Sequence, residues 1–415
     1  MSRRAARRSR RRMLAALCGL LTMMPLTSYA QGSSARAQPE RFSIHVPDAV
    51  LIDLHDRLTH TRWPDQLPGT GWEYGADRAY LRQLITYWRD TFDWRAREAR
   101  LNRFAHFHAS VGGMRIHFMH VRSSNADAVP LLLLHGWPSS FVQMLEIIPL
   151  LVDPAAHGLA GSPSFHVVVA SLPGFGFSEI PTRTGVGFRV SASMMAELMH
   201  DVLGYPRYAV RGSDLGGNIV RQMALLHPEQ IIGVHLTGMI GADGASPPYT
   251  AAEQAFIDAT NATVPERYYA RLQATKPQTL AHALNDSPIG LAAWIVEKFR
   301  SWSDCHGELE RRFSKDDLLT NLMIYWATGT APASVRMYYE FSRETSTTRR
   351  IDVPVGMLMS RKDLFPPAPR EWGERFFNVQ RWVETDTGGH FLEWEEPVLV
   401  ARELQAFFGA LVARP

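Results

Sequence analysis

The sequence predicts an α/β fold: a mostly parallel central sheet with an inserted helical lid and an N-terminal helical cap. Three observations carry this expectation. Val129–Leu134 and Phe165–Ala170 are short, nearly continuous apolar runs, as expected of parallel strands covered on both faces. Helical stretches at Arg189–Leu203, Gly216–His227 and Pro397–Leu411 separate most of the candidate strands, and strands alternating with helices build parallel sheets. Residues 241–350 interrupt this rhythm with helical sequence rich in Tyr, Trp and Ala, which reads as a lid inserted between two strands.

The elements follow in order. Residues 1–30 carry seven Arg, at positions 3, 4, 7, 8, 10, 11 and 12, and no Asp or Glu. Setting them aside turns the formal net charge from +3 to −4, so the body has no basic footprint for nucleic acid. The apolar stretch Met13–Leu26 that follows has 14 residues, whereas a spanning helix needs about 20. A basic start, a short apolar run and small residues near a cut site fit an export signal over 1–30. Cleavage is expected after Ala30, with Ser28 at −3, or after Ala37, with Ala35. Ser9-Arg10-Arg11-Arg12-Met13-Leu14 resembles a twin-arginine export motif; a Sec-type signal with a basic start is the alternative. Either implies a periplasmic or secreted protein, and no later segment is long and apolar enough to span a membrane. Cys18 falls inside the leader, which leaves Cys305 alone and precludes an internal disulfide in the mature chain. Cys305 could serve as a nucleophile, but Ser303, Asp304 and His306 around it look like a helix terminus.

Residues 31–40 read as a linker and 41–102 as the cap. Phe42–Val46 alternates like a short extended segment. Val50, Leu51, Leu54 and Leu58 then recur at helical spacing from Asp48, until Pro64 and Pro68. Leu81, Leu84, Ile85 and Trp88 form a second stripe. Residues 103–240 hold the first part of the core, with strands at Met114–Val121, Val129–Leu134, Phe165–Ala170, Tyr208–Gly212 and Ile231–Met239. After the lid, 351–415 returns to the core with Val353–Met359 and Arg381–Thr385. The composition, 46% hydrophobic and 20% charged over 415 residues, is that of a globular protein with ample core and excludes a disordered or fibrous one.

Three loops at strand ends carry chemistry. Arg211-Gly212-Ser213-Asp214-Leu215-Gly216-Gly217 follows a strand and precedes a helix. Its small-x-nucleophile-x-small spacing is that of a nucleophile elbow. The central residue is Asp214; Ser213 comes one place early and should point away. An Asp that merely caps a helix is the plainer reading, and the two flanking glycines argue against it. Leu134-His135-Gly136-Trp137-Pro138 ends another strand, and its Gly lets the next N–H point into a site. Thr387-Gly388-Gly389-His390-Phe391 follows the last strand. Nucleophile, then acid, then His is the α/β-hydrolase order. The acid is Asp363, after Val353–Met359, or else Asp243, after the strand ending at Met239.

A carboxylate is ionised near neutral pH and needs no base to attack. An Asp nucleophile therefore points to substitution at carbon, through an alkyl ester that water then cleaves. That selects epoxides or alkyl halides. His390 would activate the water, the acid would orient His390, and the N–H groups of Trp137 and Leu215 would hold the oxyanion. An epoxide also needs a donor for its oxygen. The lid offers two pairs of phenols, Tyr268-Tyr269 and Tyr338-Tyr339. A haloalkane dehalogenase with the same triad and a non-catalytic ligand-binding protein on the same scaffold are the competing readings.

Several stretches resemble the microsomal-type epoxide hydrolases. They are Phe42-Ser43-Ile44-His45-Val46-Pro47-Asp48, Arg57-Leu58, Thr61-Arg62-Trp63-Pro64, the His135-Gly136-Trp137-Pro138 turn and Pro173-Gly174-Phe175-Gly176-Phe177-Ser178. In the lid, Gln273-Ala274-Thr275-Lys276-Pro277 and Ala283-Leu284-Asn285-Asp286-Ser287-Pro288-Ile289-Gly290-Leu291 are similar to that family's signature. The likeness covers about residues 40–410. It implies epoxide hydrolysis with water, without metal or cofactor. It implies Asp214 as nucleophile, His390 as base and Asp363 as acid, with Tyr269 and Tyr338 (before Glu340) as the lid donors. Two departures stand out: Leu215 replaces a frequent Trp, and the acid is Asp where some relatives have Glu. The membrane anchor of microsomal members is not carried over, given the export-like start.

Overall fold

The computed structural model describes residues 38–238, 245–345 and 349–413. The expected export signal, most of the linker and Asp243 lie outside the described residues. Among those described, nine strands form one sheet: β1 (Glu40–Phe42), β2 (His106–Val111), β3 (Met114–Val121), β4 (Val129–Leu134), β5 (Phe165–Ala170), β6 (Tyr208–Gly212), β7 (Ile231–Thr237), β8 (Ile351–Ser360) and β9 (Phe377–Thr385). Their spatial order is β1-β2-β3-β5-β4-β6-β7-β8-β9. The run from β5 to β9 is parallel, and β1, β2 and β3 add an antiparallel flank. This is the α/β-hydrolase fold.

The sheet is parallel where β4 and β5 read as nearly continuous apolar runs, and it is buried there: every residue of β5 and β6 is buried. Four predicted strands, β3 to β6, have the expected limits. The ends differ elsewhere. β8 starts at Ile351 and β9 at Phe377, both earlier than expected, and β7 ends at Thr237. β2 is a strand that the apolar pattern does not predict. Two of its inward positions are His106 and His108, which hydrogen bonds make burial-compatible. In the Phe42–Val46 segment only Phe42 pairs, as the end of β1.

Helix Asp48–Thr59 buries Leu54 and Leu58, and helix Arg78–Asp90 buries Leu81, Leu84, Ile85 and Trp88, the stripes that the spacing predicts. Among the described residues, six α-helices run between β7 and β8: Ala251–Ala262, Tyr268–Thr275, Pro277–Asp286, Pro288–Trp302, Lys315–Thr328 and Ala331–Phe341. The N-terminal helices pack on this insertion. Arg57 Nη1 donates to the Asp286 carbonyl over 2.6 Å, and the hydroxyls of Tyr80 and Tyr87 donate to Glu310 and Asp316, each over 2.9 Å. None of the described helices is long and apolar enough to cross a membrane.

The order β5-β4-β6 makes a switch point. The chain leaves β4 to one side and β6 to the other, which opens a crevice beyond their carboxyl ends. The loops after β4, β6, β8 and β9 carry Trp137, Asp214, Asp363 and His390 respectively.

Candidate active site

Asp214 opens the helix Asp214–Leu226 directly after β6, with a φ of 50°. A non-glycine residue in the left-handed region is uncommon and marks a site where the surroundings dictate the turn. The glycines explain how this turn fits. A Cβ on Gly216 would overlap the Leu134 carbonyl, and one on Gly136 would overlap the Asp214 side chain. Two strand ends and a helix start thus meet at contact distance, and the carboxylate is pushed up to the crevice. Ser213 points away, as its place in the elbow predicts, and its hydroxyl donates to buried Glu393 over 3.3 Å.

The Trp137 N–H donates to Asp214 Oδ1 over 2.9 Å, and the Leu215 N–H also donates to this carboxylate. The other oxygen, Oδ2, lies 3.8 Å from His390 Nε2. That is beyond hydrogen-bond reach, so Nε2 is not committed to the carboxylate. The far side of the ring is committed: His390 Nδ1 donates to Asp363 Oδ1 over 2.9 Å. Arg361, which could have drawn Asp363 outward, instead pairs with Glu384 at 2.6 Å and Asp386 at 3.0 Å. Asp214, His390, Asp363, Trp137 and Leu215 are therefore one cluster. The fold separates the members of each lid phenol pair. Tyr269 and Tyr338 are buried, 6.0 Å apart by ring centroids and 5.2 and 5.9 Å from the Trp137 ring. Tyr268 faces solvent, and Tyr339 stacks under Arg343.

Burial alone pulls the His390 imidazole down. The charge and hydrogen bond of Asp363, then the charge of Asp214, more than reverse this and push it up to about 9. Burial raises Asp214 above the ordinary carboxylate value, opposed by His390 and by the N–H groups of Trp137 and Leu215. Burial also raises both Tyr269 and Tyr338, helped by the negative charge of Asp214, so both stay protonated donors across the neutral range. No group of His, Cys, Asp and Glu among the described residues is arranged to hold a metal.

Residues 39–144 match the model of the epoxide hydrolase N terminus, and 129–397 match that of the alpha/beta hydrolase fold. The chain is 35% identical to epoxide hydrolase 1 of Sus scrofa, over 89% of this chain and 88% of that protein. The chain belongs to the epoxide hydrolase family. It is also 41% identical to a protein of Stigmatella aurantiaca with a provisional epoxide hydrolase name, over 90% of this chain and 85% of the relative. The structure of Aspergillus niger epoxide hydrolase matches with a TM-score of 0.80 and 31% identity, over 91% of this chain and 98% of that one. Membership makes this chain a hydrolase of epoxides and favours that reading over the dehalogenase and the non-catalytic binder.

Sequence reasoning passed over two residues that shape the base loop of this enzyme. Trp302 accepts the His390 N–H at its carbonyl over 2.8 Å and sets its ring edge-on to the imidazole at 5.2 Å. Glu395 accepts the N–H groups of Gly389, Phe391 and Asp304 over 2.9, 3.0 and 2.7 Å. Trp302 belongs to an apolar helical stripe, and Glu395 sits in a four-residue helical turn. Neither carries a signal that separates it from ordinary packing. Cys305 is buried, with its thiol directed to the Arg300 carbonyl at 3.3 Å.

Proposed function

We propose that the enzyme opens its epoxide through a covalent ester on Asp214. The observation that carries the reading is the asymmetric hold on that carboxylate. Oδ1 is gripped by the Trp137 N–H, with the Leu215 N–H also donating to the carboxylate, while Oδ2 is turned towards His390 at 3.8 Å and is the oxygen that attacks. Oδ2 attacks an oxirane carbon, the C–O bond breaks, and the alkoxide takes a proton from a phenol of the Tyr269/Tyr338 pair. Oδ1 then becomes the ester carbonyl oxygen, already held by the Trp137 N–H and beside the Leu215 N–H, the donors that the tetrahedral oxyanion needs.

His390 acts in the second half. Ester formation removes the charge of Asp214, one of the causes that keep the imidazole protonated. The neutral, proton-accepting form gains at the stage where water must be activated. Water attacks the ester carbon, Nε2 takes its proton, and Asp363 holds the imidazolium. The acyl C–O bond breaks, the departing alkoxide takes the proton held by His390 and leaves as the diol with the former Oδ2, and the proton of the regenerated Asp214 carboxylic acid returns through solvent to the lid phenolate. A single turnover in ¹⁸O-water tests this: label should enter Asp214 and not the diol. Label in the first-turnover diol would mean direct attack of water on the epoxide.

We also propose that the enzyme works outside the cytoplasm. The support is the Arg run, the short apolar stretch and the small residues before Gln31. Sequencing the mature N-terminus from the native host tests it, and an intact Met1 on cytoplasmic protein would defeat it.

A further inference from the structure

Beneath the triad lies a second cluster that the chemistry above does not use. Arg211, in β6, and Glu393, three residues after His390, are both completely inaccessible and pair at 2.8 Å. Each reaches further. Arg211 donates to Thr237 Oγ1 over 2.8 Å and contacts His235 Nδ1 at 2.6 Å, both on β7. Glu393 accepts from the Ser213 hydroxyl over 3.3 Å and from Gln143 Nε2 over 2.6 Å. Gln143 in turn holds the hydroxyl of Ser139 at its side-chain oxygen, and Ser139 also donates to the Gly136 carbonyl over 3.1 Å.

The spokes of this cluster end on three loops. Ser213 and Arg211 precede the nucleophile Asp214. Glu393 shares the base loop with His390. Ser139 and Gln143 follow Trp137, whose N–H grips Asp214. A buried ion pair is not by itself a source of stability, because desolvation offsets the attraction. Its worth lies in direction: carboxylate and guanidinium accept and donate along fixed lines. The Asp214–His390 separation and the aim of the Trp137 N–H are set between loops that are 77 to 176 positions apart in the chain, so something must hold them to sub-ångström register.

We propose that Glu393, held by Arg211, is a positioning residue for both half-reactions, locking the nucleophile, base and oxyanion loops to one another through Ser213, its own helical turn and Gln143. The inference rests on the covalent mechanism proposed above. The parent enzyme with styrene oxide is therefore measured first, by mass for the Asp214 ester and by rapid quench for its formation and decay. Absence of an ester in the parent sinks the mechanism; only the variants bear on Glu393.

Three variants follow: Glu393→Gln, Gln143→Leu, and the double change Arg211→Met with Glu393→Leu. Gln143→Leu keeps the ion pair and cuts only the spoke to the oxyanion loop. The double variant removes both charges together, so no lone charge is left buried. Rates are counted per folded active site, with thermal unfolding recorded alongside. Ester formation and ester decay should each slow about 10- to 100-fold in Glu393→Gln and in the double variant, as misplacements near 1 Å do, with little change in KM. Gln143→Leu should slow both steps less, with native thermal stability. Parent rates per folded site in Gln143→Leu and in whichever ion-pair variant folds would overturn the proposal and leave the cluster a purely structural one.

Discussion

Two buried histidines in this enzyme have opposite electrostatic fates, and the contrast separates scaffold from site. His117, on β3 of the antiparallel flank, sits among Phe42, Phe141 and Phe177. His106 Nε2 faces the Leu101 carbonyl, so it must carry the hydrogen. His106 Nδ1 therefore accepts from His117 Nε2 over 2.9 Å, and His117 Nδ1 accepts from the Ser171 hydroxyl over 2.8 Å. Every ring nitrogen is used, every partner is neutral, and burial drives His117 well below its ordinary value. His390 is also buried, yet the carboxylates of Asp363, Asp214 and Glu395 drive it up to about 9. Burial alone makes a histidine inert; burial beside charge makes it a switchable acid and base.

The sharpest way to break the comparison is to remove the site's own groups. Asp214→Ala should abolish diol formation, by about 10⁴-fold or more, taking triad deletions as the guide. His390→Gln should still form the ester and then stall. Intact-protein mass after epoxide addition reads both: a stable adduct is expected for the His390 variant and none for the Asp214 variant.

Asp363→Asn should make His390 resemble His117. With its main charge partner gone, the imidazole should fall from about 9, followed by NMR titration or by the pH profile of ester decay. Ester decay should slow by about 10³-fold, since orientation of the base is lost as well. An unmoved His390 would mean that Asp363 is not its controlling partner.

Next in size are the lid phenols. Losing one donor of an oxyanion hole typically costs about 10²- to 10³-fold. Tyr269→Phe or Tyr338→Phe should slow ester formation by about that order while leaving decay of a preformed ester near the parent rate. Parent-like ring opening in the double Phe variant would remove both from the mechanism.

The smallest effect is on stability. His390 has a raised value in the fold, so its contribution is complete below about 6.5 and is lost as pH rises through about 9. Burial lowers the flank histidines His106 and His117, and lowers His135 to about 4. Their contribution is complete above about 6.5 and is lost as pH falls, for His135 through about 4. For His390 and His135 shifts of this size are worth about 3 kcal/mol each. Thermal unfolding against pH should show two limbs, and His390→Gln should flatten only the alkaline one.

The same contrast explains what was legible. β4 and β5 could be read to the residue because strands covered on both faces are nearly continuous apolar runs, and β3 because its residues alternate. The elbow could be read because a tight strand–turn–helix demands Gly212 and Gly216 whatever the nucleophile is. β2 could not, because His106 and His108 look polar until their hydrogen bonds are known. Tyr269 and Tyr338 were distinguishable from Tyr268 and Tyr339 only through the family resemblance, since adjacent phenols on a helix differ in direction and not in composition.

The amino-acid sequence alone determined the class of fold, the carboxylate at the elbow and the order of the reactive loops. Those are local matters: periodicity, glycine at a crowded turn, and one residue type in place of another. The tertiary structure decided which oxygen of Asp214 meets the Trp137 N–H and which faces His390, and it turned Asp363 to His390 rather than to Arg361. It also drew Arg211, Glu393 and Gln143 into one buried cluster. Those depend on directions and distances between segments far apart in the chain, which are set by packing and by the partners that each buried polar group must find.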